Sequence, residues 1–138
     1  RERSRTLETV EGATLLQSIG FVHSQKNKPP LALEAYAEAR YILARLRELE
    51  TPRGADLLLN IGRILMEQRK HDSALGAFLE AFNYFEQTST LETSQGAEVL
   101  MCIGMVKDRR GDPDSFLAYE RALGIRRSTC TLETPEGA

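Results

Sequence analysis

The chain has 138 residues, of which 41% are hydrophobic and 28% charged, and a formal net charge of −2. So near-neutral a balance leaves no whole-domain electrostatic footprint for nucleic acid or an anionic membrane. No apolar run approaches the roughly 18 residues of a membrane span, so a soluble domain is expected.

Residues 6–13 read TLETVEGA, and almost the same octet returns as ELETPRGA at 48–55, TLETSQGA at 90–97 and TLETPEGA at 131–138. Successive copies start 42, 42 and 41 positions apart, at 6, 48, 90 and 131. Self-similarity at such a period marks an array of small supersecondary units, none of which can bury its apolar face alone. The repeats fall at about 6–47, 48–89 and 90–130. RERSR, before Thr6, stands where RRSTC stands before Thr131. Residues 1–5 are therefore expected to end a preceding repeat, and the last octet to begin a following one.

In chain order, the spacing predicts first helices over 9–26, 52–69 and 94–110, and second helices over 30–47, 72–88 and 113–128. Thr9, Thr51 and Thr93 are capping hydroxyls, and Pro52 sits at the first helical position. Thr134-Pro135 repeats that pair, and Glu11 and Glu136 place a carboxylate in the first turn, where the helix dipole favours it. Leu58, Ile61 and Leu65 then recur at helical spacing, and after the polar RKHD break come Ala74, Leu75, Phe78, Ala81, Phe82 and Phe85. No stretch alternates at period two for long enough to argue a strand. Gly20, Gly62 and Gly104 lie mid-helix, where glycine costs about 1 kcal/mol relative to alanine and so needs a packing reason. Tyr36, Phe78 and Tyr119, each followed three residues later by Ala39, Ala81 or Ala122, supply aromatic rings for a close helix approach.

Few residues carry chemistry. The glycines follow the repeat and form no phosphate-binding loop. His23 falls at an inward position of a first helix and His71 in a turn, and neither has ligands arranged around it as zinc requires. Cys102 and Cys130 occupy different repeat positions, consistent with two reduced thiols in a cytoplasmic protein. GDPD, at 111–114, lacks the ligand spacing of a calcium loop and reads as a polar turn. No catalytic residue, metal or cofactor is expected. Arg40, Arg45, Arg47, Arg121, Arg126 and Arg127 gather on the second helices, but acids interleave with them, which argues a solvated face over a nucleic-acid interface.

The order of large, small and aromatic positions resembles the tetratricopeptide repeat. Repeat 1 supplies Leu16, Ile19-Gly20, Ala32, Tyr36 and Ala39. Repeat 2 supplies Leu58, Ile61-Gly62, Ala74, Phe78 and Ala81. Repeat 3 supplies Leu100, Ile103-Gly104, Gly111, Ser115, Tyr119 and Ala122. The usual unit is about 34 residues. The longer period here is similar to the long repeats of the kinesin light chain group, although the histidine-proline pair of that group's linker is absent. Repeat 3 is one residue short within its GDPDS turn. The resemblance implies an all-α, right-handed superhelical array of three antiparallel helix pairs.

It also implies a protein-binding function, without catalysis, in a concave groove lined by the first helices. Carried over by register, the groove positions are Thr14, Gln17, Phe21 and Ser24, then Asp56, Leu59, Arg63 and Met66, then Glu98, Met101, Met105 and Asp108. Phe21, Leu59, Met66, Met101 and Met105 would form an apolar contact stripe. The alternative is that the extra helix length buries them. Asn60 stands where related long repeats hold a peptide backbone, but Ser18 and Cys102 replace it in the other units. The implied partner is a protein or peptide. Two other readings remain open: self-assembly of the array through its ends into a homo-oligomer, and a regulatory segment of a larger enzyme or signalling protein.

Overall fold

The computed structural model describes residues 8–131. Every regular element among them is a helix: α1 (Val10–Gln25), α2 (Pro29–Arg45), α3 (Pro52–Glu67), α4 (His71–Gln87), α5 (Ser94–Arg110) and α6 (Ser115–Thr131). They match the six expected helices to within three residues at each end. Residues 132–138 of the fourth octet, with Thr134-Pro135 and Glu136, and residues 1–5 lie outside the described residues. The chain divides into two compact units, Arg1–Lys70 and His71–Ala138.

The repeated octet is a helix-starting device. Thr9, Thr51 and Thr93 each adopt an extended N-cap conformation. Their Oγ1 atoms accept from the backbone N–H of Gly12, Gly54 and Gly96 at 3.0, 3.2 and 3.1 Å. The same hydroxyls of Thr51 and Thr93 donate backward to the carbonyls of Glu48 and Thr90, at 2.7 and 2.8 Å. One hydroxyl thus ties the arriving chain to the first helical turn. The octet glycine completes the joint. A Cβ on Gly54 would overlap the carbonyl of Leu49, and one on Gly96 would overlap that of Leu91.

Helix ends are set by single left-handed residues. Asn27, Arg47, Arg69 and Ser89 have φ between 57° and 63°, and Gly111 has φ 81°. The first four stop the helical path one or two positions before the sequence pattern runs out, and Gly111 ends α5 at the expected residue. The last helix starts at Ser115 because Asp112, Pro113 and Asp114 form the turn instead. The two carboxylates there are held by basic partners, Lys107 Nζ to Asp114 Oδ2 at 2.8 Å and Arg110 Nη2 to Asp112 Oδ2 at 3.3 Å. GDPD is a turn pinned by ion pairs.

In the first unit, α2 packs against both α1 and α3. Gly12, Ala13, Leu16 and Gly20 form the buried face of α1, and α2 buries Ala32, Ala35, Tyr36, Ala39, Ile42 and Leu43. Gly20 faces the Tyr36 ring. In the second unit α5 packs against α4 and α6, and Gly104 faces Tyr119 in the same way. The buried residues of α4 are Ala74, Ala77, Phe78, Ala81 and Phe85.

Candidate functional site

In the first unit, α1 and the N-terminal half of α3 border a groove of about 1020 Å³. Thr14, Gln17, Ser18, Phe21 and Val22 line it from α1. Glu48, Thr51, Pro52, Arg53, Asp56 and Asn60 line it from the linker and α3. Helical periodicity explains the lining: 14, 17, 18, 21 and 22 form one stripe of α1, and 53, 56 and 60 one stripe of α3.

Two side-chain bonds cross this groove. Gln17 Nε2 donates to Asp56 Oδ2 at 3.0 Å, and Arg53 Nε donates to Thr14 Oγ1 at 3.2 Å. Thr14 in turn donates to the Val10 carbonyl at 2.9 Å. The polar residues thereby brace the two helices against each other. The wall beside them is apolar and open, with Phe21 53% exposed. Tyr36, against Gly20 of α1, is buried. Burial, and after it the Asp56 carboxylate, pushes the phenol above its ordinary value, against an opposing effect of Arg63.

Of the thirteen positions assigned to the groove from sequence, Thr14, Gln17, Phe21, Asp56 and Asn60 are brought together here. Arg63 is half-buried beside them, with Nη1 3.4 Å from Asn60 Oδ1. Leu59 and Met66 depart from the expectation. They are only 3% and 7% exposed, so they are core residues with no surface to offer a ligand. The physical reason is that α3 is apolar around most of its circumference. Leu57, Leu58, Leu59, Ile61, Ile64 and Met66 are all buried, as in a helix covered on several sides. Met101 and Met105 belong to α5 of the second unit, where Met101 is exposed and Met105 half-buried. The continuous five-residue apolar stripe is therefore not present.

Sequence reasoning passed over Ser18, Val22, Glu48, Thr51, Pro52 and Arg53. Arg53 was recoverable, because it precedes Asp56 by one helical turn. None of the other chemistry-bearing residues lines the groove. Cys102 is buried. His23 and His71 are half-buried, each with an Nδ1 that finds no partner. Among the described residues, no three His, Cys, Asp or Glu side chains cluster as metal ligands would, and no helix is long and apolar enough to cross a membrane. On the second helices, Arg45 lies over the Tyr41 ring at 5.7 Å and Arg121 over Phe82 at 5.8 Å. Arg45 also bonds the Tyr41 hydroxyl at 3.1 Å. These arginines are engaged locally, as on a solvated helix face.

No protein-family model matches the chain, and no curated protein does. Among solved structures, the crystal structure of BtubC (BKLC) from P. vanneervenii aligns with a TM-score of 0.82 over 87% of this chain. The fold is a helical repeat. Identity to BtubC is 23%, so the likeness is one of fold, and this chain spans about half of BtubC, 48% of its length.

Proposed function

We propose that this chain is a non-catalytic interaction scaffold whose three repeats present a binding surface, and that the groove between α1 and α3 takes a peptide or an extended segment of a partner protein. The observation that carries this reading is the pairing of a braced polar floor with an open aromatic wall. Gln17–Asp56 and Arg53–Thr14 hold the helices at a fixed separation, which lowers the ordering cost of binding. Phe21 and Val22 stand exposed beside them, and apolar anchors supply most of the energy in such contacts. The polar groups lining the groove bond to one another, which suits a support better than a reaction centre. A helical repeat fold is consistent with this role, and the two thiols with a cytoplasmic setting.

The test uses the intact chain as bait for a phage-displayed random-peptide library, followed by fluorescence anisotropy with the selected peptides. Phe21→Ala is expected to weaken binding at least about tenfold, with an unchanged circular dichroism spectrum. Peptides that bind Phe21→Ala and Asp56→Ala as tightly as the parent would overturn the assignment.

A further inference from the structure

Two carboxylates and an open aromatic ring border the α1–α3 groove. Asp56 receives the Gln17 amide at Oδ2, 3.0 Å away, which leaves its Oδ1 for a ligand. Glu48, half-buried in the linker, brings the second carboxylate to the lining. Among the described residues neither acid has a basic ion-pair partner. Arg53 lines the groove with the opposite charge, but its Nε is committed to Thr14 Oγ1. Phe21 lies one helical turn beyond Gln17 on the same stripe of α1, which sets their Cβ atoms about 5–6 Å apart. The ring therefore stands close to the helix pairing that presents Asp56.

The opening is a property of the register. Thr14, Asp56 and Glu98 stand 42 positions apart, and all three are exposed or half-buried. The same holds for Phe21, Arg63 and Met105. These two positions stay open in every repeat. Leu15 behaves differently: it is exposed, whereas Leu57 and Val99 at the equivalent positions are buried. Both acids also sit inside the chain, Asp56 on α3 and Glu48 on the six-residue linker, 46–51, that leads to it.

We propose that the groove selects an arginine: the guanidinium of an extended partner segment stacks on the Phe21 ring and donates to Asp56, with Glu48 as its second acidic contact. This rests on the reading of the groove as a peptide site and adds the side chain that the site takes. A guanidinium meets both demands at once, because it is planar, stacks on aromatic faces, donates in a fork to carboxylates and is weakly hydrated. An acidic segment would meet two like charges. A purely apolar one would cover the carboxylates without supplying a donor, which leaves their lost hydration uncompensated.

The experiment selects peptides from a phage-displayed random library on the intact chain and measures each by fluorescence anisotropy. Every selected peptide is also synthesised with citrulline, a neutral isostere, in place of arginine. The peptides are expected to be rich in arginine, and citrulline to weaken them at least about tenfold. Asp56→Asn removes the charge but keeps an amide oxygen for Gln17, and should weaken binding by about the same factor. Glu48→Gln should cost less, and Glu67→Gln, at an exposed acid of α3 outside the lining, should cost nothing. Added salt should weaken the parent complex. The citrulline arm leaves the protein unaltered, so it reads the charge contact whatever the variants do to folding. Peptides that lose binding to Phe21→Ala but keep it with citrulline or with Asp56→Asn overturn the arginine assignment and leave the peptide groove standing. Peptides indifferent to Phe21→Ala, or a library that yields none, overturn both.

Discussion

Gly20 lies directly under the Tyr36 ring: a Cβ built on Gly20 would stand 2.5 Å from Cε1 and 2.7 Å from Cδ1. Tyr36 is buried, so the ring has nowhere to retreat. This contact resolves the cost of a mid-helix glycine in favour of packing, and it sets up a contrast within one protein.

Gly20→Ala is expected to destabilise the fold by about 1–2 kcal/mol. Overpacking costs about 1–3 kcal/mol and outweighs the roughly 1 kcal/mol gained in helix propensity. Gly76→Ala, in α4, meets nothing within 4 Å and is expected to stabilise by about 0.5–1 kcal/mol. Urea denaturation of the two variants should show midpoints moving in opposite directions.

The octet joint predicts a graded series. Thr51→Ala removes one cap and should cost about 1 kcal/mol. Gly54→Ala forces a methyl group into the Leu49 carbonyl. Backbone cannot yield as a side-chain tip does, so its cost should exceed that of Thr51→Ala. Thermal melts of both, with Thr93→Ala as the equivalent in the second unit, order the effects.

Arg47 and Arg69 occupy left-handed backbone, at φ 59° and 63°. A side chain there costs roughly 1–2 kcal/mol, part of which glycine returns through its greater unfolded-state entropy. Arg69→Gly should therefore raise stability by up to about 1 kcal/mol. Gly111→Ala, at φ 81°, should lower it by about 1 kcal/mol. Chemical denaturation monitored by circular dichroism checks both signs.

Tyr36 gives the fold an alkaline limit. Its folded-state pKa is raised, by burial first and by Asp56 second. A raised value means that the folded chain holds the proton after the unfolded chain has released it. The associated stability is fully present below the unfolded value, about 10, and is lost as pH rises through the folded one. Tyr36→Phe should flatten stability against pH above that point. Asp114 has the opposite sign. The hydrogen bond from Lys107 holds its carboxyl below the usual value, so its contribution is present above the unfolded carboxylate value and lost as pH falls through the folded one. Asp114→Asn should remove that acid-side dependence.

Much of the fold was legible in the sequence because its signals are local. Thr51-Pro52 announces a helix start whatever surrounds it, since the cap bond spans only three residues. The site was legible in part. Gln17, Phe21, Asp56 and Asn60 follow from register along two helices. Leu59 and Met66 did not, because α3 carries apolar residues on several faces, and periodicity alone cannot say which face stays open. The crossing bonds Gln17–Asp56 and Arg53–Thr14 each span 39 positions, three fewer than the 42-residue period. A repeat alignment pairs equivalent residues, whereas neighbouring helices meet with a shift of nearly one turn.

The sequence by itself determined the six helices, the threonine caps of α1, α3 and α5 and the Gly20–Tyr36 and Gly104–Tyr119 seams, because hydrogen-bond geometry and side-chain size act over a few residues or repeat at a fixed period. Only the tertiary structure decided which apolar stripes are covered. Leu15, Ile19 and Val22 spell the same pattern as Leu57, Ile61 and Ile64, yet one stripe is open and the other closed. Burial belongs to the neighbour that a helix finds, and a helix carries no record of that neighbour in its own residues.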